Sequence, residues 1–380
     1  MTAPNTPLRY ALIGAGAGIA HTHLAALAQL PEATVVGMAD VQREPAEARA
    51  AAVGCPFFTD HRAMLDAVRP DVVVITAPHP FHPDLAVDAF AARAHVLTEK
   101  PIAVEVAEAD RMIDAADRAG RLLAVSFQQR FKPSVEYARS LVEAGVIGPL
   151  VRVLCVEPWY RTHAYFRAAG WRGTWRGEGG GVLLNQAPHT LDLLGWLAGP
   201  PARVWGWART LRHSIETEDS AQAMLEYPNG APGYFTASTV EAGSERRLHI
   251  VGGKGALEMV GDRVTVQRFT PSLAEHSATS PELYRGPDVA SETHDLPGDG
   301  GGHLAVYRDL HAAIVEGRAP RCDGRAARLS LELANAMTLS SFDGRPVDLP
   351  IDRAAYHSLL EDLRSGARSM PGRSEWADAP

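Results

Sequence analysis

The chain has 380 residues, more than one hydrophobic core usually serves, and two domains are therefore expected. Hydrophobic residues make up 46% and charged residues 22%, which is typical of a globular protein and excludes a disordered or membrane-embedded class. The formal net charge of −8 disfavours nucleic acid as a partner, because phosphate binding requires a basic surface. The same charge is also what solubility alone would select.

Cysteine use and terminal sequence narrow the class further. The three cysteines, Cys55, Cys155 and Cys322, form no CxxC pair and no His/Cys group at ligand spacing, so neither a disulfide scaffold nor a structural metal is expected. The first ten residues do not resemble a secretory signal, and no run approaches the roughly 18 apolar residues of a membrane span. We therefore expect a cytoplasmic protein that does not contact a membrane.

From residue 8 onward, strand-like and helical segments alternate. Nearly all residues of 71–76 are β-branched or apolar, as in a strand buried on both faces of a parallel sheet. The pattern predicts an N-terminal dinucleotide-binding domain over residues 1–127 with a doubly wound (Rossmann) sheet. Its predicted strands are 10–13, 34–39, 71–76, 95–98 and 122–127, and its predicted helices are 20–30, 44–53, 85–92 and 104–119.

Past residue 127 the pattern changes, because strand-like segments follow one another without helices between them. Residues 128–380 are thus predicted to form a substrate-binding and oligomerisation domain of the α+β class, with an open, mainly antiparallel sheet. One apolar face of such a sheet needs cover, which predicts a homodimer or homotetramer through residues of about 204–269. The predicted strands are 150–157, 204–209, 220–227, 233–239, 247–252, 255–260 and 263–269; helices are expected at 133–144, the second half of 182–197, 303–316 and 325–341, and a long loop at 270–302.

A glycine-rich turn joins the first predicted strand to the first helix. Its sequence is Gly14-Ala15-Gly16-Ala17-Gly18-Ile19-Ala20, at the place where a dinucleotide-binding fold brings backbone N–H groups close to a pyrophosphate. The third glycine of GxGxxG would fall at Ile19, so we expect a loop one residue longer than usual. Either Gly18 or Ala20 then takes the close-packing position. The cofactor-binding residues predicted here are Gly14, Gly16, Ala17, Gly18 and Ile19.

Asp40 ends the second predicted strand and bears on the choice of nucleotide. A carboxylate there accepts the ribose hydroxyls of NAD and repels the 2′-phosphate of NADP. Arg43 lies three residues further on and could instead face such a phosphate. We predict NAD, with NADP as the alternative, and a turn or helix cap is the structural alternative for Asp40.

Four motifs occur in an order that resembles the Gfo/Idh/MocA family of oxidoreductases. They are the glycine turn, Pro78-His79-Pro80-Phe81-His82, Thr98-Glu99-Lys100-Pro101, and a glycine run, Gly179-Gly180-Gly181, followed by Asn185, His189 and Asp192. Leu248–Gly255 is similar to a later strand–turn–strand signature, so the resemblance covers residues 8 to about 350. It implies NAD(P)-dependent chemistry on sugars, cyclitols or nucleotide sugars, usually in dimers or tetramers formed through the open sheet.

The resemblance and the chemistry of alcohol oxidation together indicate reaction-site residues. Such a reaction needs a base for the hydroxyl proton and a positive charge near the developing alkoxide. His189 is the expected base and Lys100 the expected cation. Asp192, one helical turn after His189, would orient the ring or bind a substrate hydroxyl, or else be a salt-bridged helix carboxylate. Asn185 stands where the family often has Asp and cannot take up a proton.

Further positions are expected around these residues. Pro78, His82 and Glu99 are predicted on the cofactor side, with a structural role as the alternative for His82. Aromatic rings stack on sugars and Arg side chains bind hydroxyls or phosphates, which makes the Trp- and Arg-rich stretch before the glycine run a candidate substrate loop. An oligomer contact is the competing interpretation. The predicted substrate-binding residues are Gln128, Arg161, Tyr165, Trp171, Arg172 and Trp175.

The leading hypothesis is a dehydrogenase that transfers a hydride between a nicotinamide cofactor and a secondary alcohol of a sugar, cyclitol or nucleotide sugar. The family also includes glycosidases that retain NAD and a transcriptional regulator. A hydrolase that recycles the hydride is therefore one alternative, and a non-catalytic NAD-binding sensor is the other. The sensor ranks last because both Lys100 and His189 are present.

Overall fold

The structure is a computed structural model that describes residues 7–372, so the ends of both predicted domains lie outside the described residues. The chain divides into two compact units. The first contains the chain up to Gln128 together with Arg176–Gly179 and Gly301–Leu331, and the second contains Gln129–Trp175, Gly180–Gly300 and the chain from Glu332. Two segments that are flanked in sequence by the second unit therefore belong to the first unit.

The first unit is built on a six-stranded sheet in the order β3-β2-β1-β4-β5-β6, and all its strand pairs are parallel. This confirms the predicted doubly wound sheet. The strands are β1 (Leu8–Ile13), β2 (Ala33–Ala39), β3 (Phe57–Phe58), β4 (Val72–Ile75), β5 (His95–Thr98) and β6 (Leu123–Val125); the helices are α1 (Ala20–Leu27), α2 (Arg43–Val53), α3 (His61–Val68), α4 (His82–Ala91), α5 (Val106–Ala119) and, much later in the chain, α11 (Gly302–Glu316).

Local sequence explains most of these boundaries. All four residues of β4 are buried, as expected for a central parallel strand. Gly54 and Gly120 end α2 and α5 in the left-handed conformation with φ of 81° and 61°, which glycine adopts without strain. The short pair β3 and α3 was not predicted. Its signal is local, because Asp60 caps α3 by accepting a hydrogen bond from the backbone N–H of Arg62.

The second unit is built on a nine-stranded sheet in the order β14-β13-β12-β11-β7-β10-β9-β8-β15. Its strand pairs are antiparallel except for β7 and β10, so the predicted mainly antiparallel sheet is confirmed. The strands are β7 (Leu150–Pro158), β8 (Arg203–Arg209), β9 (Ser220–Glu226), β10 (Pro232–Ser238), β11 (Arg247–Gly252), β12 (Gly255–Val260), β13 (Arg263–Thr270), β14 (Asp288–Asp295) and β15 (Val347–Asp348).

Helices accompany this sheet at several points of the chain. The helix predicted in the second half of 182–197 is present and starts at Pro188, whose missing N–H is tolerated in a first turn. A short helix over Val182–Asn185, which was not predicted, precedes it. The helices are α6 (Pro133–Glu143), α7 (His163–Arg167), α8 (Val182–Asn185), α9 (Pro188–Ala198), α10 (Leu273–Thr279), α12 (Gly324–Asp343) and α13 (Arg353–Ser365). The division between the two units falls within α12, after Leu331. No helix within residues 7–372 is both long and apolar enough to cross a membrane.

The expectation of a long loop over 270–302 was wrong. That segment contains α10 and the edge strand β14. Seven of the eight side chains of β14 are exposed, so the strand has no apolar alternation to reveal it. Backbone pairing with β13 over its whole length holds it in the sheet, and such pairing leaves no trace in hydropathy.

Strand β8 packs against α12 with almost no space between their backbones. A Cβ atom at Gly206 would lie 2.2 Å from the carbonyl oxygen of Met337. The hydroxyl of Ser340 accepts a hydrogen bond of 2.9 Å from Gly206 N, and Ser341 does the same for Ala208 N. Glycine is therefore required at position 206 by packing rather than by its backbone angles.

We predict that Gly206→Ala destabilises the protein, because the added methyl group must push the helix away from the strand. The expected loss is about 1–3 kcal/mol in the free energy of unfolding. The measurement is the urea midpoint of the purified variant. Gly286→Ala is the control, since a Cβ there meets nothing within 4 Å. Equal midpoints for the two variants would show that α12 and β8 separate at little cost.

Candidate active site

The glycine turn after β1 forms a cradle in which two loops approach each other at backbone level. Gly14 has φ of 86°, and a Cβ there would lie 2.5 Å from the backbone nitrogen of Ala77, which follows β4. The turn closes with a hydrogen bond of 3.0 Å from Ala17 N to Gly14 O. Arg49 on α2 also donates to the carbonyl oxygens of Ala15 and Ala17, which holds the turn from outside.

The longer loop ends on Ala20, which is fully buried at the start of α1. Gly18 is exposed and has open space where a Cβ would stand, and Ile19 is 37% exposed. Of the two residues considered for close packing, Ala20 therefore occupies that position. Gly18 and Ile19 lie on the solvent side of the turn. This is the side on which a bound pyrophosphate would contact the turn.

Asp40 stands directly after β2 and faces the glycine turn. Its Oδ2 accepts a hydrogen bond of 2.7 Å from Gly16 N, and its Oδ1 accepts one of 2.7 Å from Gln42 N. Each oxygen keeps a lone pair, so the carboxylate suits the ribose hydroxyls of NAD. The exposed guanidinium of Arg43 donates a hydrogen bond of 3.0 Å to Glu47. The carboxylate of Glu47 offsets the positive charge of Arg43 that a 2′-phosphate would need.

The loops after β4 and β5 carry the other residues predicted on the cofactor side. Pro78 is exposed, whereas His82 is fully buried and its ring nitrogens lie 2.8 Å from Ala77 O and 3.0 Å from Pro101 O. His82 thus connects the loop after β4 to the loop after β5. This agrees with the structural role that was considered as the alternative for His82. Burial is the main cause that lowers the pKa of the neighbouring His79 to about 3, and the positive charge of Lys100 acts in the same direction.

Glu99, the residue before Lys100, is the centre of a buried polar cluster that the sequence did not reveal. Its Oε1 lies 2.9 Å from His23 Nε2 on α1 and 3.5 Å from His303 Nε2 on α11. Tyr307 completes the cluster at 2.8 Å from His23 Nδ1. Burial alone would raise the pKa of Glu99, but the two histidines outweigh it and hold that pKa well below its usual range. The carboxylate before Lys100 is therefore ionised.

The glycine run leads into the helices of the second unit that carry Asn185 and His189. Glu218 Oε1 accepts hydrogen bonds from Gly181 N at 2.9 Å and Leu183 N at 3.0 Å, which satisfies free donors at the start of α8. A Cβ at Gly181 would lie 1.8 Å from the carbonyl oxygen of Glu218. The close contact requires glycine at the residue that precedes α8.

His189 lies in the first turn of α9 and lines an open cavity of about 120 Å³ within the second unit. The cavity wall combines the strand β7, the first turns of α6 and α9, and the segment before β11. Its polar and aromatic lining contains Gln129, Lys132, Glu157, Trp159, His189, Thr190 and Arg246. A wall of this composition suits a polyhydroxylated ring, which presents both hydroxyls and an apolar face.

The predicted Trp- and Arg-rich substrate loop forms a stacked cluster in the same unit. The guanidinium groups of Arg161 and Arg172 lie over the ring of Tyr165 at 4.9 Å and 4.2 Å. Arg172 also lies over Trp171 at 5.3 Å. The hydroxyl of Tyr165 accepts a hydrogen bond of 3.2 Å from Asn185 Nδ2, so the structure brings this loop to the end of α8.

Three other predicted residues have different surroundings. Trp175 is 2% exposed, and its indole N–H donates to Glu216 O at 3.1 Å, so it belongs to the core of the unit. Asp192 is buried and pairs with Arg130 through two contacts of 2.8 Å and 2.5 Å, which matches the salt-bridged alternative. Gln128 begins a 3₁₀ turn at the end of the first unit and is partly exposed.

Glu157 is a potential site residue that the sequence analysis did not single out. It is 2% exposed, lines the cavity with His189, and accepts a hydrogen bond from the hydroxyl of Thr190. Burial raises its pKa, although Thr190 and Arg246 act in the opposite direction. The signal was present in β7, because Val153, Cys155 and Glu157 alternate on the buried face and the last of them is a carboxylate.

Residues 8–127 match the family model described as "Oxidoreductase family, NAD-binding Rossmann fold", and residues 135–258 match the "GFO/IDH/MocA C-terminal domain". The first unit is thus an NAD-binding domain, and the chain is an oxidoreductase of the Gfo/Idh/MocA family, as its motifs indicated.

Particular relatives give finer detail. The structure is similar to the WlbA dehydrogenase of Bordetella pertussis, at 30% identity, TM-score 0.80, 92% of this chain and 100% of the other. It is likewise similar to the WlbA dehydrogenase of Chromobacterium violaceum, at 29% identity, TM-score 0.81, 92% of this chain and 98% of the other. Both were solved with NADH and UDP-GlcNAcA. The D-glucoside 3-dehydrogenase of Escherichia coli K12 is 33% identical over 52% of this chain, and the match spans 56% of that relative's length.

We predict that the wild-type protein binds NADH more tightly than NADPH and that Asp40→Ser narrows this difference by about tenfold or more. The reason is that the variant loses two ribose acceptors and the charge that repels a 2′-phosphate. Titration of protein fluorescence with each nucleotide measures both affinities. Glu44→Gln, which removes an exposed carboxylate from the first turn of α2, is the control and should keep the wild-type ratio. A wild type that prefers NADPH would contradict the role of Asp40.

Proposed function

We propose that this protein oxidises a secondary alcohol of a sugar, cyclitol or nucleotide sugar with NAD. The observation that carries the proposal is the cavity at His189, where a titratable imidazole stands among an indole, a carboxylate and basic side chains in a chain that also has an NAD-binding domain. The names of the relatives, which act on or were solved with carbohydrate-like molecules, support this substrate class.

The nucleotide would be held by Gly14, Gly16, Ala17 and Asp40, and when bound it supplies the hydride acceptor. His189 takes the proton of the reacting hydroxyl at a ring nitrogen, since imidazole titrates near neutral pH. The ammonium of Lys100 stabilises the negative charge that develops on the same oxygen. Glu99 keeps its charge beside Lys100 and thereby favours the protonated lysine.

Asn185 has a binding role in this proposal. A neutral amide cannot carry a proton, but it can orient a substrate hydroxyl as donor or acceptor. Its contact with the hydroxyl of Tyr165 supports such a role, because it couples the end of α8 to the aromatic loop. Tyr165, with Trp171, Arg161 and Arg172, is proposed to bind the remainder of the substrate, and Asp192 to support the helix that carries His189.

The second candidate is a glycoside hydrolase of the same fold that retains NAD and returns the hydride within one turnover. The same residues could serve both reactions, so the products must be measured. A panel of inositols, aldoses, anhydrosugars and UDP-linked sugars, assayed at 340 nm with NAD and with NADP, distinguishes them. Stoichiometric NADH identifies a dehydrogenase, whereas sugar release without NADH identifies the hydrolase.

We predict that Lys100→Met and His189→Ala each lower the rate of hydride transfer by about 10²–10⁴, because both act on one transition state. For the same reason the double variant should be little slower than the slower single variant. Single-turnover absorbance at 340 nm gives the rates, and NADH titration checks that the nucleotide still binds. Asn185→Ala should be milder. Near-normal transfer by His189→Ala between pH 6 and 9 would assign the base to another group.

We also propose that the protein assembles into a homodimer or homotetramer through the uncovered face of the large sheet. Trp205, Met224 and Tyr234 lie side by side on neighbouring strands β8, β9 and β10 and are 55%, 54% and 42% exposed. Trp207 extends the patch along β8 and is 39% exposed. Contiguous aromatic and apolar surface of this kind is typical of an interface.

Met224→Glu is expected to shift the assembly toward monomer, because it introduces a charge at the centre of this patch that would be buried without a partner. Sedimentation velocity at micromolar concentration measures the distribution for the wild type and the variant. Val315→Glu, which places the same charge on an exposed position of α11, should leave the assembly unchanged. A wild type that sediments as a monomer contradicts the proposal.

A further inference from the structure

The cavity at His189 contains a carboxylate for which the reaction described above has no use. Glu157 is buried at the end of β7, and its strand neighbours on the same face, Val153 and Cys155, belong to the apolar core. A buried ion pair contributes little to stability compared with apolar packing of the same volume. The carboxylate therefore calls for an explanation other than stability.

The partners of Glu157 differ from those of other buried acids in this unit. Its Oε2 accepts a hydrogen bond from Thr190, the residue after His189. Its Oε1 lies 2.8 Å from Arg246 Nε, but in a geometry that does not form a hydrogen bond, so this atom keeps its acceptor capacity. Arg246 itself is 45% exposed. The charge of Glu157 is thus balanced by a side chain that can move into solvent.

Arg246 also covers an aromatic surface of the same cavity. Its guanidinium lies 3.6 Å from the centre of the Trp159 ring. A cation over an indole at a half-exposed site gains only modest energy. The planar group therefore occupies the place where the apolar face of a sugar ring would stack.

We propose that Glu157 is a specificity residue that accepts hydrogen bonds from two adjacent hydroxyl groups of a ring stacked on Trp159, with Arg246 displaced toward solvent. The two carboxylate oxygens match a pair of neighbouring hydroxyl donors, and Thr190 orients the group. This inference rests on the proposed function and narrows its substrate to rings in which two adjacent hydroxyls, besides the one oxidised, are free. A ring substituted or deoxygenated at either position leaves a buried carboxylate oxygen without its donor.

The test uses Glu157→Gln, which keeps size but loses the charge and one acceptor. Hydrogen bonds to a charged group justify an expected rise in KM of about tenfold to a hundredfold, with a smaller change in kcat. Probes are methyl β-D-glucopyranoside and myo-inositol, each with its monodeoxy derivatives. The wild type should discriminate against deoxygenation at two adjacent positions by a similar factor, and in Glu157→Gln this discrimination should fall below about threefold.

Two further variants separate recognition from structure. Glu292→Gln removes another strand glutamate that pairs with an arginine, Arg268, and neither of these two residues lines the cavity, so this variant should behave as wild type. Thr190→Val keeps shape and removes the hydroxyl that orients Glu157, and should raise KM less than Glu157→Gln. Binding of each probe to the enzyme–NADH complex, measured by calorimetry, gives affinities without turnover.

The outcomes distinguish this inference from the function on which it rests. Oxidation of a probe by Glu157→Gln with unchanged KM and unchanged discrimination would overturn the role of Glu157 while leaving the dehydrogenase intact. If the wild type neither oxidises nor binds any of the probes or panel sugars, the proposed function and this inference both fail. An unchanged NADH affinity and thermal midpoint in Glu157→Gln, with the expected loss of discrimination, would support the assignment.

Discussion

The position of His189 depends on the contact between Glu218 and the glycine run. The carboxylate accepts the N–H groups of Gly181 and Leu183, and the backbone of Glu218 approaches Gly181 so closely that no side chain fits between them. The contact fixes the start of α8, which carries Asn185, and α9, which carries His189, follows after two residues. The buried donors at the start of α8 are satisfied by the same carboxylate, so this helix needs no separate cap.

Buried acids recur in the molecule, and their partners show what each one does. Asp192 is fully paired with the buried Arg130, and Glu99 with the buried His23 and the nearby His303. These partners are buried or nearly so, which holds both carboxylates in place. Glu157 is paired with a half-exposed arginine instead. A replaceable partner is what a ligand-binding carboxylate needs, since the ligand must compete only with a group that returns to water.

The large sheet has two faces with different uses. On one face small residues such as Gly206 allow α12 to lie directly on the strands, and this close packing excludes side chains of any size. On the other face Trp205, Met224 and Tyr234 remain exposed in one row. The alternation of a strand places these sets on opposite sides, so one sequence pattern encodes both a closely packed face and an exposed apolar face.

The sequence alone determined the features that depend on neighbours along the chain. The parallel sheet followed from alternating apolar segments, the glycine turn from its place after β1, and the ends of α2 and α5 from Gly54 and Gly120. Motif order was enough to indicate the family and the two residues, Lys100 and His189, on which the proposed chemistry rests. The short helix α3 was not predicted, because a single capping contact from Asp60, rather than a periodic pattern, defines its start.

Only the tertiary structure decided the features that depend on residues distant in the chain. The edge strand β14 exists because its backbone pairs with β13, and its polar side chains give no sign of this. Trp175 resembled a ligand-binding aromatic in the sequence but lies in the core, and Asp192 resembled a site carboxylate but meets Arg130, 62 residues away. Glu157, Thr190 and Arg246 come together from three separate segments. Burial and pairing are properties of the folded chain, because they arise from which distant groups share a volume from which water is excluded.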